Sequence, residues 1–208
     1  MAANITVKIY DINTYSFGRY ELAEAEAPKP RIDKMTKLRQ YYEKSDGCVK
    51  YVRAIILVHL HNHPHVLLLE KKSGERKLPG GRLEPGEDDE SGLLRLLGEK
   101  LRIEQGSYIF PNELVGCWYR PRFTEQLLPY CPVHISSPKE IEKWYLLILP
   151  PTCSFRIHPK YDLQAAAFYD LQDATLTSIY GKQLPLIPTL TSRFTIIPED
   201  NQNKEETQ

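Results

Sequence analysis

LPGGRLEPGEDDESGLLRLLGEKLRI, residues 78–103, joins a double-glycine turn to an acidic stretch and then to a leucine-rich run. A proline and three acids at the start of the run suit the N-terminal end of a helix, where the macrodipole favours negative charge. Leu93, Leu94, Leu97 and Leu101 recur at helical spacing, which predicts a helix over about Asp88–Leu101 with a buried leucine stripe.

On either side the pattern changes from helical to extended. YVRAIILVHL and HVLLLEKK are short apolar runs rich in Val, Ile and Leu, expected to form two strands joined at HNHP. ELVGCWYRP and KWYLLILP read as further strands, and a last helix is expected near IPTLTSRF. Upstream, Ile32, Met35, Leu38 and Tyr42 mark an amphipathic helix behind the Pro/Ala/Glu-rich link RYELAEAEAPKP. Strands and helices mixed around one strong loop-helix point to an α/β fold.

Lysine plus arginine and aspartate plus glutamate number 27 each, so no global field draws the chain onto a polyanion. Any nucleic-acid recognition would read bases more than phosphates. The four cysteines form no C-x-x-C pair and follow no secretory leader, and no apolar run approaches a bilayer span, so a soluble intracellular protein with reduced thiols is expected. His59, His61, His63 and His65 would share one strand face on strict alternation, but HNHP reads as a solvent-exposed hairpin tip rather than a metal site.

The opening stretch resembles the Nudix box, G-x5-E-x7-R-E-U-x-E-E-x-G-U, with Gly81, Glu87 and Arg95 in register. In Nudix hydrolases three glutamates at i, i+3 and i+4 share a helical face and hold Mg²⁺ against a diphosphate. Here those positions are Leu96, Glu99 and Lys100. A lone carboxylate is a poor Mg²⁺ site. A lysine ammonium about 4 Å from a divalent cation would cost several kcal/mol even at an effective dielectric near 20. What survives is structural: Glu87 and Arg95 are placed to pair across the loop, and Gly80 and Gly81 allow the turn. The expectation is therefore no enzyme, no catalytic residue, no metal and no cofactor. The alternative is a divergent hydrolase of a nucleoside diphosphate derivative that recruits other acids such as Glu84, Asp88 or Glu90.

The flanks PHVLLLE, WYRPRF, PYCPVHISSPKE, PKYDLQAAAFYDL and SRF, taken with the box, resemble the small subunit of pre-mRNA cleavage factor I, the cleavage and polyadenylation specificity factor subunit 5 family. The resemblance covers about residues 5–197. It implies an α/β/α Nudix sandwich with a mixed central sheet, at 31–197, after an N-terminal extension (1–30) and before a disordered polar tail (198–208). It also implies a nuclear, non-hydrolysing homodimer that binds UGUA elements in single-stranded pre-mRNA, carries a larger RNA-recognition-motif subunit and touches no membrane. A third reading keeps the docking and loses the RNA.

Residue by residue, the resemblance puts Arg31 at an RNA-contacting arginine. The loop before the box, KSGERK, stands where the family has consecutive phenylalanines, so Gly74, Glu75, Arg76 and Leu78 become candidates for base contact. An arginine plane can stack on a base, whereas Glu75 would repel phosphate. Arg53 replaces an acidic residue of the family, and Glu24 aligns loosely with another. Tyr130 and Tyr180 fall near the cleft or the large-subunit contact, while Trp118 is expected in the core.

Overall fold

The computed structural model describes residues 5–20, 40–103, 113–122, 125–173 and 182–199. A mixed sheet of seven strands organises them, in the order β10-β4-β3-β8-β7, with β5 on β4 and β6 on β3. The strands are β3 (Val49–Leu60), β4 (His63–Lys71), β5 (Arg76–Lys77), β6 (Gly80–Arg82), β7 (Leu114–Arg120), β8 (Glu140–Leu147) and β10 (Tyr161–Ala167). β3 and β8 run parallel, and the other pairings are antiparallel.

The continuous apolar character of β3 follows from burial on both faces. Val52, Ala54, Ile56 and Val58 face the core beneath helix α1 (Asp89–Lys100), with Leu83, Leu93, Leu96, Leu97 and Leu101. Ile55 and Leu57 face a second core with Leu78, Trp118, Trp144, Leu146 and Leu184. Two short helices, α2 (Phe168–Leu171) and α3 (Ile187–Thr191), contribute to that second layer through Leu171 and Ile187. The layers form an α/β/α sandwich.

Helix α1 begins at an Asp88 N-cap whose carboxylate accepts from Ser91 N (3.0 Å). Its buried stripe is Leu93, Leu96, Leu97 and Leu101, with Leu94 only half-buried. Leu96 thus takes the core place expected of Leu94. Asp89 anchors the helix to β8, accepting from Tyr145 Oη (2.6 Å) and from Lys143.

The termini correct the expected boundaries. β1 (Thr6–Tyr10) pairs in parallel with β11 (Thr195–Glu199), burying Val7 and Ile9, and β2 (Ser16–Arg19) pairs with β9 (Ser154–Ile157). Residues 6–19 therefore belong to the folded body rather than to an extension ending at 30. The chain is still in a strand at Pro198 and Glu199, where Lys8 pairs with Glu199 (2.6 Å). The hairpin histidines also divide. His61, in the turn at φ 50°, and His63 are exposed, whereas His59 and His65 are buried, because the two turn residues break the strand alternation. Among the described residues no group of three or more His, Cys, Asp or Glu side chains converges to hold a metal ion.

Candidate functional site: two clefts

The first cleft lies on the helix side of the sheet. It encloses about 620 Å³ and is lined by Tyr41, Arg82, Glu84, Arg95, Glu99 and Lys100 among others. Arg95 grips Glu87 with two parallel bonds, Nε to Oε1 and Nη2 to Oε2, both 2.7 Å. Glu87 Oε2 also accepts from the amide of Glu84 (2.8 Å), so the pair ties loop to helix. The guanidinium beside it holds the Glu87 carboxyl below its ordinary range. Arg95 Nη1 takes Glu99 as well (3.0 Å), and Glu99 is otherwise largely exposed.

Gly80 and Gly81 carry the loop over the sheet. At Gly80 φ is 129°, and a Cβ would sit 2.2 Å from the carbonyl oxygen of Val52. Only glycine fits a strand approach this close. Lys100 Nζ reaches back from the last turn of α1 and donates to the carbonyl oxygen of Gly80. Burial, then the nearby charge of Arg53, lowers the Lys100 pKa to about 8.

These groups do not fit Mg²⁺. Leu96 is buried among apolar side chains, the Glu99 carboxylate is drawn to Arg95, and an ammonium holds the carbonyl at the third position. The cleft retains the scaffold of a phosphate-cleaving site without its ligand set.

The second cleft opens on the other face of β3. It encloses about 350 Å³, and its charged lining consists of Arg53, Lys77 and Arg120 against Glu75, Glu140 and Glu142. Tyr51, Leu78, Leu127, Trp144, Gln183 and Leu184 complete it. Arg53 Nε donates to Glu142 Oε1 (3.1 Å) between side chains 15% and 9% exposed, and Trp144 Nε1 donates to the same oxygen (2.8 Å). Arg120 Nε donates to Glu140 Oε2 (2.8 Å) nearer the rim.

The loop KSGERK forms one wall as a tight turn. Gly74, at φ 80°, donates its amide to the carbonyl of Lys71 (2.8 Å), and the carbonyl of Glu75 accepts from Lys71 N (3.0 Å). Those two main-chain groups are therefore spent within the turn. Glu75 lies between Lys71 and Lys77, 2.8 Å from each; their hydrogen bonds pull its pKa to about 2 and offset the repulsion expected toward phosphate. Arg76 turns to Glu70 on β4 (3.2 Å), away from the residues lining the cleft. Leu78 is buried against the cleft floor.

A family model described as nucleotide hydrolase, of the Nudix type, matches residues 5–194. The chain is 39% identical over 198 residues to "Cleavage and polyadenylation specificity factor subunit 5" of Dictyostelium discoideum, covering 92% of this chain and 96% of that one. The chain belongs to this family. Two further relatives from Arabidopsis thaliana, "Pre-mRNA cleavage factor Im 25 kDa subunit 2" and "subunit 1", are each 36% identical, over 93% and 92% of this chain and 96% and 86% of theirs. The fold is a Nudix fold.

Within this cleavage factor subunit family the sequence had singled out Arg53, Glu75 and Leu78, which the tertiary structure gathers around one cavity. Gly74 and Arg76 do not line it. Arg31, Glu24 and Tyr180, and the expected helix through Ile32, Met35 and Leu38, lie outside the described residues. Tyr130 is 59% exposed and Trp118 is buried against Trp144, with ring centroids 4.0 Å apart.

Sequence reasoning missed Glu142, Glu140, Arg120, Lys77 and Tyr51. One signal was available. A buried-strand arginine such as Arg53 needs a carboxylate partner, and EIEK, residues 140–143, supplies two acids on alternate positions of the neighbouring strand.

Proposed function

We propose that the chain is a non-catalytic RNA-binding subunit of the nuclear machinery that cleaves and polyadenylates pre-mRNA 3′ ends. It acts as a homodimer, joined to a larger subunit bearing RNA-recognition motifs. Single-stranded RNA of the UGUA type enters the cleft formed by β3, β8 and the loop 73–78, with Arg31 contributing from the segment ahead of it. Family membership supports the processing role. The observation that carries the absence of catalysis is Lys100, whose ammonium holds the Gly80 carbonyl where the Nudix box requires a carboxylate.

A balanced lining of three cations and three carboxylates suits a neutral base better than a phosphate, consistent with recognition by base edges and stacking. Titration of fluorescent UGUA-containing and scrambled RNA tests the reading. Tighter binding of the UGUA strand is expected, and equal, millimolar-weak binding of both would leave a docking subunit only. Steady Mg²⁺-dependent phosphate release from a nucleotide panel, abolished by Glu99→Ala, would instead establish a hydrolase.

A further inference from the structure

We propose that Glu142 is the specificity-determining residue of the cleft opposite the helix: its Oε2 accepts the imide N–H of a uracil or guanine, while Arg53 donates to the carbonyl beside that N–H. The proposal rests on the RNA-binding reading above and deepens it.

The Glu142 side chain is nine-tenths buried and lines the cavity. Both of its donors, Arg53 Nε and Trp144 Nε1, converge on Oε1, and Oε2 accepts no hydrogen bond among the described residues. That oxygen is open to the cavity rather than sealed in the core, so a ligand N–H can reach it and take the place of solvent. Of the Arg53 nitrogens only Nε is engaged among the described residues, so the fork retains donors next to that open oxygen.

The pair therefore offers an acceptor and a donor side by side, held in place by a parallel strand pairing and by the Trp144 indole. A cavity of about 350 Å³ admits a base and not a duplex. A phosphate is disfavoured there because Glu142, Glu140 and Glu75 stand around the same space. Among bases, uracil and guanine present an imide N–H next to a carbonyl. That N–H is more acidic than the amino groups of adenine and cytosine, and hence the stronger partner for a carboxylate.

The test uses the full chain and randomised single-stranded RNA. Wild type should enrich RNAs with an invariant uracil or guanine, and Glu142→Gln should lose the preference at one position while keeping it at the others. Binding of the enriched RNA carrying N3-methyluridine or N1-methylguanosine at that position should weaken about tenfold to a hundredfold, through loss of one charge-assisted bond. This arm needs no protein variant, so it stands even if Glu142→Gln folds poorly. Full-strength binding of the methylated RNA, or an identical motif from a folded Glu142→Gln, overturns the role of Glu142 and leaves RNA binding intact. A wild type that enriches nothing overturns the RNA-binding reading itself, and this role with it.

Discussion

One cleft is built on the β6 loop and helix α1 and the other on β3 and β8, and their polar groups are arranged in opposite ways. On the helix side the groups close on one another: Glu87 and Glu99 with Arg95, and Lys100 with the Gly80 carbonyl. On the other side Glu142 binds Arg53 and Trp144 through one oxygen and keeps the second. The loop geometry depends on Gly80, Glu87 and Arg95 and not on Leu96 and Lys100, which stand at two of the three metal-ligand positions of the Nudix box. Recognition needs the reverse condition, a rigid site with hydrogen-bonding capacity still open.

The difference can be attacked where the clefts meet. Gly80→Ala should have the largest effect, because the new Cβ would lie 2.2 Å from the Val52 carbonyl oxygen at a backbone angle unsuited to side chains. Denaturant unfolding should show a loss of about 4 kcal/mol or more. A folded variant with a small loss would mean that β3 and β6 can separate freely.

Next comes the floor of the cleft around Glu142. Glu142→Ala strands the Arg53 charge and the Trp144 N–H in a buried setting, at a cost of about 3–5 kcal/mol. Arg120→Ala, which breaks the more exposed pair with Glu140, should cost about 1 kcal/mol. Equal losses at the two sites would remove the distinction between floor and rim.

On the helix side, Lys100 should make stability depend on pH. Its folded-state pKa of about 8 lies below the ordinary 10.5, so between those values the unfolded chain holds a proton that the folded protein has released. Stability therefore rises with pH across that window, by up to about 3 kcal/mol, and Lys100→Met should flatten the rise. Comparing the two proteins by chemical denaturation from pH 8 to 9.5 checks this below the range in which tyrosines titrate, among them Tyr42, which burial pushes up to about 12. Superimposable profiles would show that Lys100 keeps its ordinary pKa.

Arg76→Ala should have the smallest effect. The side chain is held by Glu70 and does not line the cleft, so RNA affinity should change by less than about 1 kcal/mol, within the range of a solvent-accessible ion pair. A loss of about 1–3 kcal/mol, the range of one stacked base, would return Arg76 to the site.

Much of the helix-side cleft was legible in the chain, because its parts are local. Gly81, Glu87, Arg95, Leu96, Glu99 and Lys100 fall within 20 residues, and helical periodicity places three of them on one face. Helix α1 and the β3–β4 hairpin were legible for the same reason, as periodicity and turn chemistry act over a few residues. Arg53, Glu75 and Leu78 entered through family resemblance, not through any local pattern. The Arg76–Glu70 pairing was not legible, since nothing in KSGERK says which way a side chain leaves the turn.

By itself the sequence determined the α/β class, the loop-helix and the loss of the metal carboxylates, all properties of spacing and of residue chemistry. Only the tertiary structure decided that residues 6–19 and 195–199 complete the body and that Leu96 rather than Leu94 fills the core. It also decided that Arg53 meets Glu142, 89 residues away in sequence. The register of β3 against β8 makes that contact, and strand register is settled by burying both sheet faces at once.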